Sequence, residues 1–385
     1  MNIKPFQIAI PEAELNDLQK RIENTRWPGE IAGEGWRRGM PLDYTKKLAE
    51  YWRTKFDWRA QEAELNKFPQ CITEIEGQPI HFLHVRSSAP KAIPLLMAHG
   101  YPSSFVDFVS MIDPLVNPVA GAAGREGEQA FHVVIPSLPG FGFSTPVTGK
   151  GWAISKMANA FDQIMGELGY ERYGVHGGDV GAGICEQLCI QAGERIIGSL
   201  IPTDPGAIAT EFTPPTHHLN DDEKKHLEAL QAARREDFGY IQIQATRPQT
   251  IAYSLTDSPV GQMAWIAEKF KEWTDPGKEL PEDAVDIDQL LTNVSIYWFG
   301  RGGAGAAHFL YESMHAATAW GQTHNRPQGF VSFGKEPLVR RILDPEKKLS
   351  YWNKHDRGGH FPGMEAPEEL VGDIRTFFHE LNSKT

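Results

Sequence analysis

Apolar residues recur at two periods along this chain, and the change from one to the other divides it. Pro11 opens a stretch in which Leu15, Leu18 and Ile22 fall on one stripe at helical spacing. Arg26-Trp27-Pro28 ends that helix, because the residue before a proline resists the helical region. A second helix is predicted from Asp43, carrying Leu48, Tyr51, Trp52 and Phe56. With Trp36 and Trp58, the first 80 residues hold much aromatic surface and few strand signals. They cannot bury that surface alone, so this extension is expected to wrap the main domain.

From Cys71 the period shortens. ITEIEGQPIHFLHVRS predicts two strands around a Glu76-Gly77 turn, and IPLLMAHG and FHVVIPSLPG read as buried strands. A helical stretch over 153–168 precedes a strand over 172–175, and GICEQLCIQAG follows as the helix behind it. Strands alternating with helices predict an α/β fold with a mostly parallel sheet and right-handed crossovers. Near residue 210 the alternation breaks, and 215–325 is mostly helical in pattern: DDEKKHLEALQAARRED, QMAWIAEKFKEWT, DIDQLLTNVSIYW. A helical insertion after the sixth strand reads as a lid. GFVSFGKEP and KLSYWNKHD are then the last two strands, and MEAPEELVGDIRTFFHEL is a closing amphipathic helix. The expected organisation is an extension over 1–80, a core over 81–214, a lid over 215–325 and the resumed core over 326–385.

The length suits one large α/β domain with additions, or two domains. Fifty acidic residues against 38 basic ones give a net charge of −12, and there is no basic tract, which argues against nucleic acid as a partner. Cys71, Cys185 and Cys189 form no disulfide pattern, and Cys185 and Cys189 read as small core residues one helical turn apart. The amino terminus lacks a cleavable apolar leader, and no run of eighteen apolar residues occurs, so a cytoplasmic protein without membrane partnership is expected. A homodimer is compatible with the sequence.

The chemistry centres on Gly177-Gly178-Asp179-Val180-Gly181, just after a strand. A small-x-nucleophile-x-small pattern marks a turn so sharp that only tiny side chains fit around it, and it lifts one side chain above the sheet edge. Here that side chain is Asp179. A carboxylate in this place attacks carbon and forms an ester that water must then hydrolyse, so the electrophile is an alkyl carbon with a leaving group. Epoxides and alkyl halides both qualify. His360, in a loop after the last strand, is the expected base, following the order nucleophile, acid, histidine. The acid should follow the penultimate strand, where Glu336 is preferred over Asp344. His99-Gly100-Tyr101-Pro102 follows a buried strand, and the backbone N–H of Tyr101 with that of Val180 is expected to form an oxyanion hole. His217-His218 lacks metal-ligand spacing and reads as a solvated loop. No metal or organic cofactor is needed.

The chain resembles the epoxide hydrolases of the microsomal type, within the α/β-hydrolase superfamily. The likeness rests on the Arg-Trp-Pro element at 26–28, YWRTKFDWRAQEAELNKFPQ, HGYP, HGGDVG, DSPVGQMAWIAEKF, LLTNVSIYW and RGGHF, and spans nearly the whole chain. Membrane-bound members carry an N-terminal anchor, so the likeness is to a soluble, bacterial-type relative. It implies a small-molecule epoxide substrate, attack by Asp179, and release of a vicinal diol by water that His360 and Glu336 activate. It further implies two lid tyrosines donating to the epoxide oxygen. Tyr240 matches the first. At the second place stands Leu310, with Tyr311 next to it, and one residue turns a helix by about 100°. Tyr311 would therefore serve only if the helix is locally adjusted. Two alternatives remain open: a haloalkane dehalogenase, although Val180 stands where such enzymes commonly carry a halide-binding tryptophan, and a non-catalytic small-molecule sensor, for which Leu310 is the sole support.

Overall fold

The computed structural model describes residues 1–117, 129–209, 216–317 and 321–383. Nine strands form one sheet: β1 (Lys4–Phe6), β2 (Gln70–Ile75), β3 (Gln78–Val85), β4 (Ile93–Ala98), β5 (Phe131–Pro136), β6 (Tyr173–Gly177), β7 (Ile196–Thr203), β8 (Gln328–Phe333) and β9 (Tyr351–His355). Their order is β1-β2-β3-β5-β4-β6-β7-β8-β9. The pairs from β5 through β9 are parallel, and β1, β2 and β3 join antiparallel. The predicted hairpin is β2–β3, with Glu76 and Gly77 both at positive φ, as a tight two-residue turn that follows strand twist requires.

The central parallel strands β4 and β5 are apolar and almost wholly buried, since helices cover both faces, whereas the edge strand β9 carries Asn353, Lys354 and His355. Helices α5 (Ile154–Glu167) and α6 (Val180–Gln191) pack together, and α4 (Val109–Val116) packs with α16 (Pro367–Ser383). Three further helices precede them in the chain: α1 (Glu12–Glu23), α2 (Leu42–Thr54) and α3 (Trp58–Leu65). Between β7 and β8 the described residues form helices and no strand: α7 (Asp221–Arg234), α8 (Gly239–Thr246), α9 (Pro248–Asp257), α10 (Pro259–Trp273), α11 (Pro281–Ala284), α12 (Ile287–Phe299) and α13 (Gly302–Met314). The expected start of the lid at 215 lies outside the described residues. After β8 come α14 (Leu338–Leu343) and, beyond β9, the single turn α15 (Pro362–Glu365).

The extension covers its aromatic surface largely against the lid. Trp52 is fully buried and its indole N–H donates to Ser295 Oγ at 2.9 Å; Trp58 stacks at a tilt on Phe299; and the Tyr51 hydroxyl donates to Asp288. These contacts fall on α12, which in turn holds the loop after β4. The Asn293 amide donates to Pro102 O at 2.8 Å and the Tyr297 hydroxyl to Ser103 O at 2.9 Å. The extension thus braces the site from two layers away.

Candidate active site

Asp179 stands between β6 and α6 at φ 53°, ψ −123°, a strained conformation for a residue with a side chain. The glycines around it have distinct steric reasons. A Cβ on Gly181 would sit 1.9 Å from Ala98 O, and one on Gly177 would sit 2.4 Å from the same atom, so Gly181 lets α6 approach the end of β4 and Gly177 lets the end of β6 lie against it. A Cβ on Gly100 would lie 2.5 Å from Asp179 Cβ. The nucleophile turn and the loop after β4 are therefore fitted to each other, and that contact brings the Tyr101 N–H to 2.8 Å from Asp179 Oδ1. Burial pushes the Asp179 carboxyl up, but His360 and the N–H groups of Tyr101 and Val180 outweigh it and hold the group below its ordinary value.

His360 lies in the loop between β9 and α15, with its Nε2 3.6 Å from Asp179 Oδ2. The backbone of that loop is tied to the end of α10, because His360 N–H donates to Trp273 O at 2.8 Å. Gly359 has to be glycine here: a Cβ would meet Trp273 O at 2.5 Å. Glu365 joins the two segments, accepting from Asp275 N–H at 2.7 Å and Phe361 N–H at 3.0 Å.

The carboxylate that faces His360 is not the expected one. His360 Nδ1 faces Asp204 Oδ2 at 2.8 Å, and Asp204 follows β7 directly, in Thr203-Asp204-Pro205-Gly206. The other Asp204 oxygen accepts from Gly206 N–H, and Arg234 stands 3.9 Å away. Burial raises the Asp204 carboxyl, yet His360, Arg234 and the Gly206 N–H together hold it low. Glu336 instead pairs with His226 of α7 at 3.0 Å and caps α14 through Leu338 N–H at 2.9 Å. Its carboxylate is committed to fastening α7 and α14 together. Asp344, the other expected competitor, accepts from Lys348 N–H behind α14. The signal for Asp204 was a carboxylate at the carboxyl end of a parallel strand, where this architecture assembles its sites.

Two carboxylates around one imidazole have a large effect. Burial lowers the His360 pKa, but Asp179 and Asp204 raise it further, to about 10. The resting site is accordingly an imidazolium between two carboxylates.

Tyr240, on α8, stacks over Tyr101 with ring centres 5.5 Å apart and lines the same cavity as Asp179. Burial first, then the Asp179 charge, raise its phenol well above the ordinary value, so it holds its proton. Tyr101 offers Asp179 its backbone, as expected, while its phenol oxygen accepts from Trp265 Nε1 at 2.6 Å and Gln244 Nε2 at 3.2 Å. Leu310 lines the cavity, whereas Tyr311 is 37% exposed and stacks on His315 at 4.2 Å. No local adjustment of α13 brings Tyr311 round. His99 is structural, accepting from Leu138 N–H at 3.2 Å. The cavity measures about 950 Å³, with apolar walls that include Phe238, Trp273, Phe309 and Leu310.

Residues 3–108 match the family model described as epoxide hydrolase N terminus, and residues 93–261 match that of the alpha/beta hydrolase fold. A putative epoxide hydrolase of Stigmatella aurantiaca is 40% identical, over 99% of this chain and 86% of that protein. This chain belongs to the epoxide hydrolases. Epoxide hydrolase 1 of Sus scrofa is 32% identical over 100% of this chain and 90% of its own length. Among solved structures, the juvenile hormone epoxide hydrolase of the silkworm Bombyx mori superposes with a TM-score of 0.82 at 28% identity, over 99% of this chain and 94% of that one. The Aspergillus niger epoxide hydrolase gives 0.82 at 28%, over 99% and 97%. An epoxide hydrolase with this cavity takes a small-molecule epoxide, and among its described residues no helix is long and apolar enough to cross a membrane.

Proposed function

We propose that this epoxide hydrolase works through a covalent ester on Asp179 and that His360 is oriented by Asp204. In the first step an Asp179 oxygen bonds to an epoxide carbon, the carbon–oxygen bond of the ring breaks, and the oxygen takes a proton. Tyr240 donates a hydrogen bond to that oxygen, relieving its developing charge. The proton needed overall is the one that His360 carries at rest.

Esterification removes the Asp179 charge, and with it one of the two carboxylates that raise His360. The imidazole becomes neutral when a base is required. In the second step water bonds to the ester carbonyl carbon and passes a proton to His360 Nε2, while Tyr101 and Val180 N–H groups hold the oxyanion. Cleavage of the ester carbon–oxygen bond releases the diol, Asp179 returns as carboxylate, and the imidazolium is restored with the remaining water proton. The observation that carries this reading is the bracketing of His360, 2.8 Å from Asp204 and 3.6 Å from Asp179.

Acid-quenched mass spectrometry of the protein with styrene oxide tests it. His360→Gln should trap a substrate-sized adduct on Asp179 with diol release stalled, and Asp179→Ala should give neither adduct nor diol. Diol formation by the Asp179→Ala protein would overturn the mechanism.

A further inference from the structure

Below the nucleophile lies a second, much smaller cavity of about 10 Å³, the room that the centre of one water molecule needs. Asp179, His360, Asp107 and His176 all line it, so it touches both the ester-forming carboxylate and the base. Two of its polar groups are unclaimed: Asp107 Oδ1 and His176 Nε2 are buried with no hydrogen-bond partner among the described residues. Unpaired polar atoms at such depth are costly, which makes two of them converging on one small cavity informative.

The protonation of His176 is fixed by its neighbour. Its Nδ1 lies 2.8 Å from Leu200 O, an acceptor only, so Nδ1 carries the proton and Nε2 presents a lone pair. Burial keeps the ring neutral by lowering its pKa to about 4. Asp107, in the 3₁₀ turn over Phe105–Phe108, is set by Gly363, where a Cβ would fall 2.8 Å from Asp107 Oδ1. Burial lifts the Asp107 carboxyl to about 7. A group near that value can donate to water or accept from it.

We propose that Asp107 and His176 hold the water that hydrolyses the Asp179 ester. This rests on the ester mechanism above and supplies its second reactant. The water donates one hydrogen to His176 Nε2, contacts Asp107, and presents its oxygen to the ester carbonyl carbon. As that bond forms, its other proton passes to His360 Nε2. His176 and Asp107 are positioning residues for water and take no part in opening the epoxide.

Rapid-quench kinetics with styrene oxide separates the two steps. His176→Leu and Asp107→Ala should slow ester hydrolysis about tenfold or more while alkylation of Asp179 stays within about twofold. Alkyl-enzyme should then accumulate, with kcat and KM falling together. His176→Gln, which keeps an acceptor, should regain most of the hydrolysis rate. Unchanged hydrolysis in both disabling variants would overturn the proposal. So would equal losses in both steps with no rescue by glutamine, the pattern of a structural role. Should the variants not fold, a high-resolution crystal structure of the native protein decides: water density bridging Asp107 Oδ1 and His176 Nε2 is expected, and an empty site refutes it. A native enzyme that forms no Asp179 ester would instead sink the mechanism on which this rests.

Discussion

His360 Nδ1 and Asp204 Oδ2 lie 2.8 Å apart although 156 residues separate them in the chain. Strand β7 delivers the aspartate and the loop after β9 delivers the histidine, so the pair exists only once the parallel sheet is complete. Because Nδ1 is committed to Asp204, Nε2 is the nitrogen turned toward Asp179.

Asp204→Asn should lower the rate of ester hydrolysis by about 10²-fold or more, since the amide neither fixes the tautomer nor stabilises the imidazolium. Glu336→Gln should cost less than about threefold in the same rapid-quench experiment, because its carboxylate fastens α7 to α14 instead. A reversed ranking would return the acid role to Glu336.

Tyr240→Phe should slow alkylation about 100-fold by removing a donor held in protonated form, and Tyr311→Phe should leave it unchanged. Leu310→Tyr should place a second phenol at the cavity wall and raise the alkylation rate. Single-turnover alkylation of the three variants is the check.

Stability should depend on pH through His360. Its folded pKa, about 10, lies above the ordinary 6.5. The stabilisation it brings is therefore complete below pH 6.5 and lost as pH rises toward 10. Asp179 and Asp204 are held low, so their share is present above the ordinary carboxylate value of 3.8 and is lost as pH falls through their folded values. The melting-temperature difference between native protein and His360→Gln should accordingly be largest near about pH 6 and shrink by about pH 10. A difference that grows with pH would contradict the charged resting state.

Gly100→Ala forces a methyl group against Asp179 Cβ, at a place where neither backbone segment has slack. It should destabilise the fold by about 1–3 kcal/mol and lower activity out of proportion to that loss, because the Tyr101 N–H moves with residue 100. Thermal melts and alkylation rates measured on one preparation separate the two effects.

Features written in neighbouring residues are legible in the amino-acid sequence itself. The glycines at 177, 178 and 181 state the turn by their size, Glu76-Gly77 states the hairpin, and the helical phase at 310–311 already sets Tyr311 apart from Leu310. The choice between Asp204 and Glu336 is of another kind. Both follow parallel strands at the same sheet edge, and what separates them is that His226 on α7 engages Glu336 while Asp204 is left facing His360, a matter of how α7 lies on the core. The partner of the amino-terminal extension is hidden for the same reason: aromatic surface announces that it must be covered, not by what, and for Trp52 and Trp58 the cover proves to be α12.

Glu365 grips Asp275 with one oxygen and Phe361 with the other, and His360 hangs from Trp273 O. The end of α10 and the His360 loop are thereby a single mechanical part. Any displacement at the end of α10 would therefore be carried through the His360 backbone to its contact with Asp204.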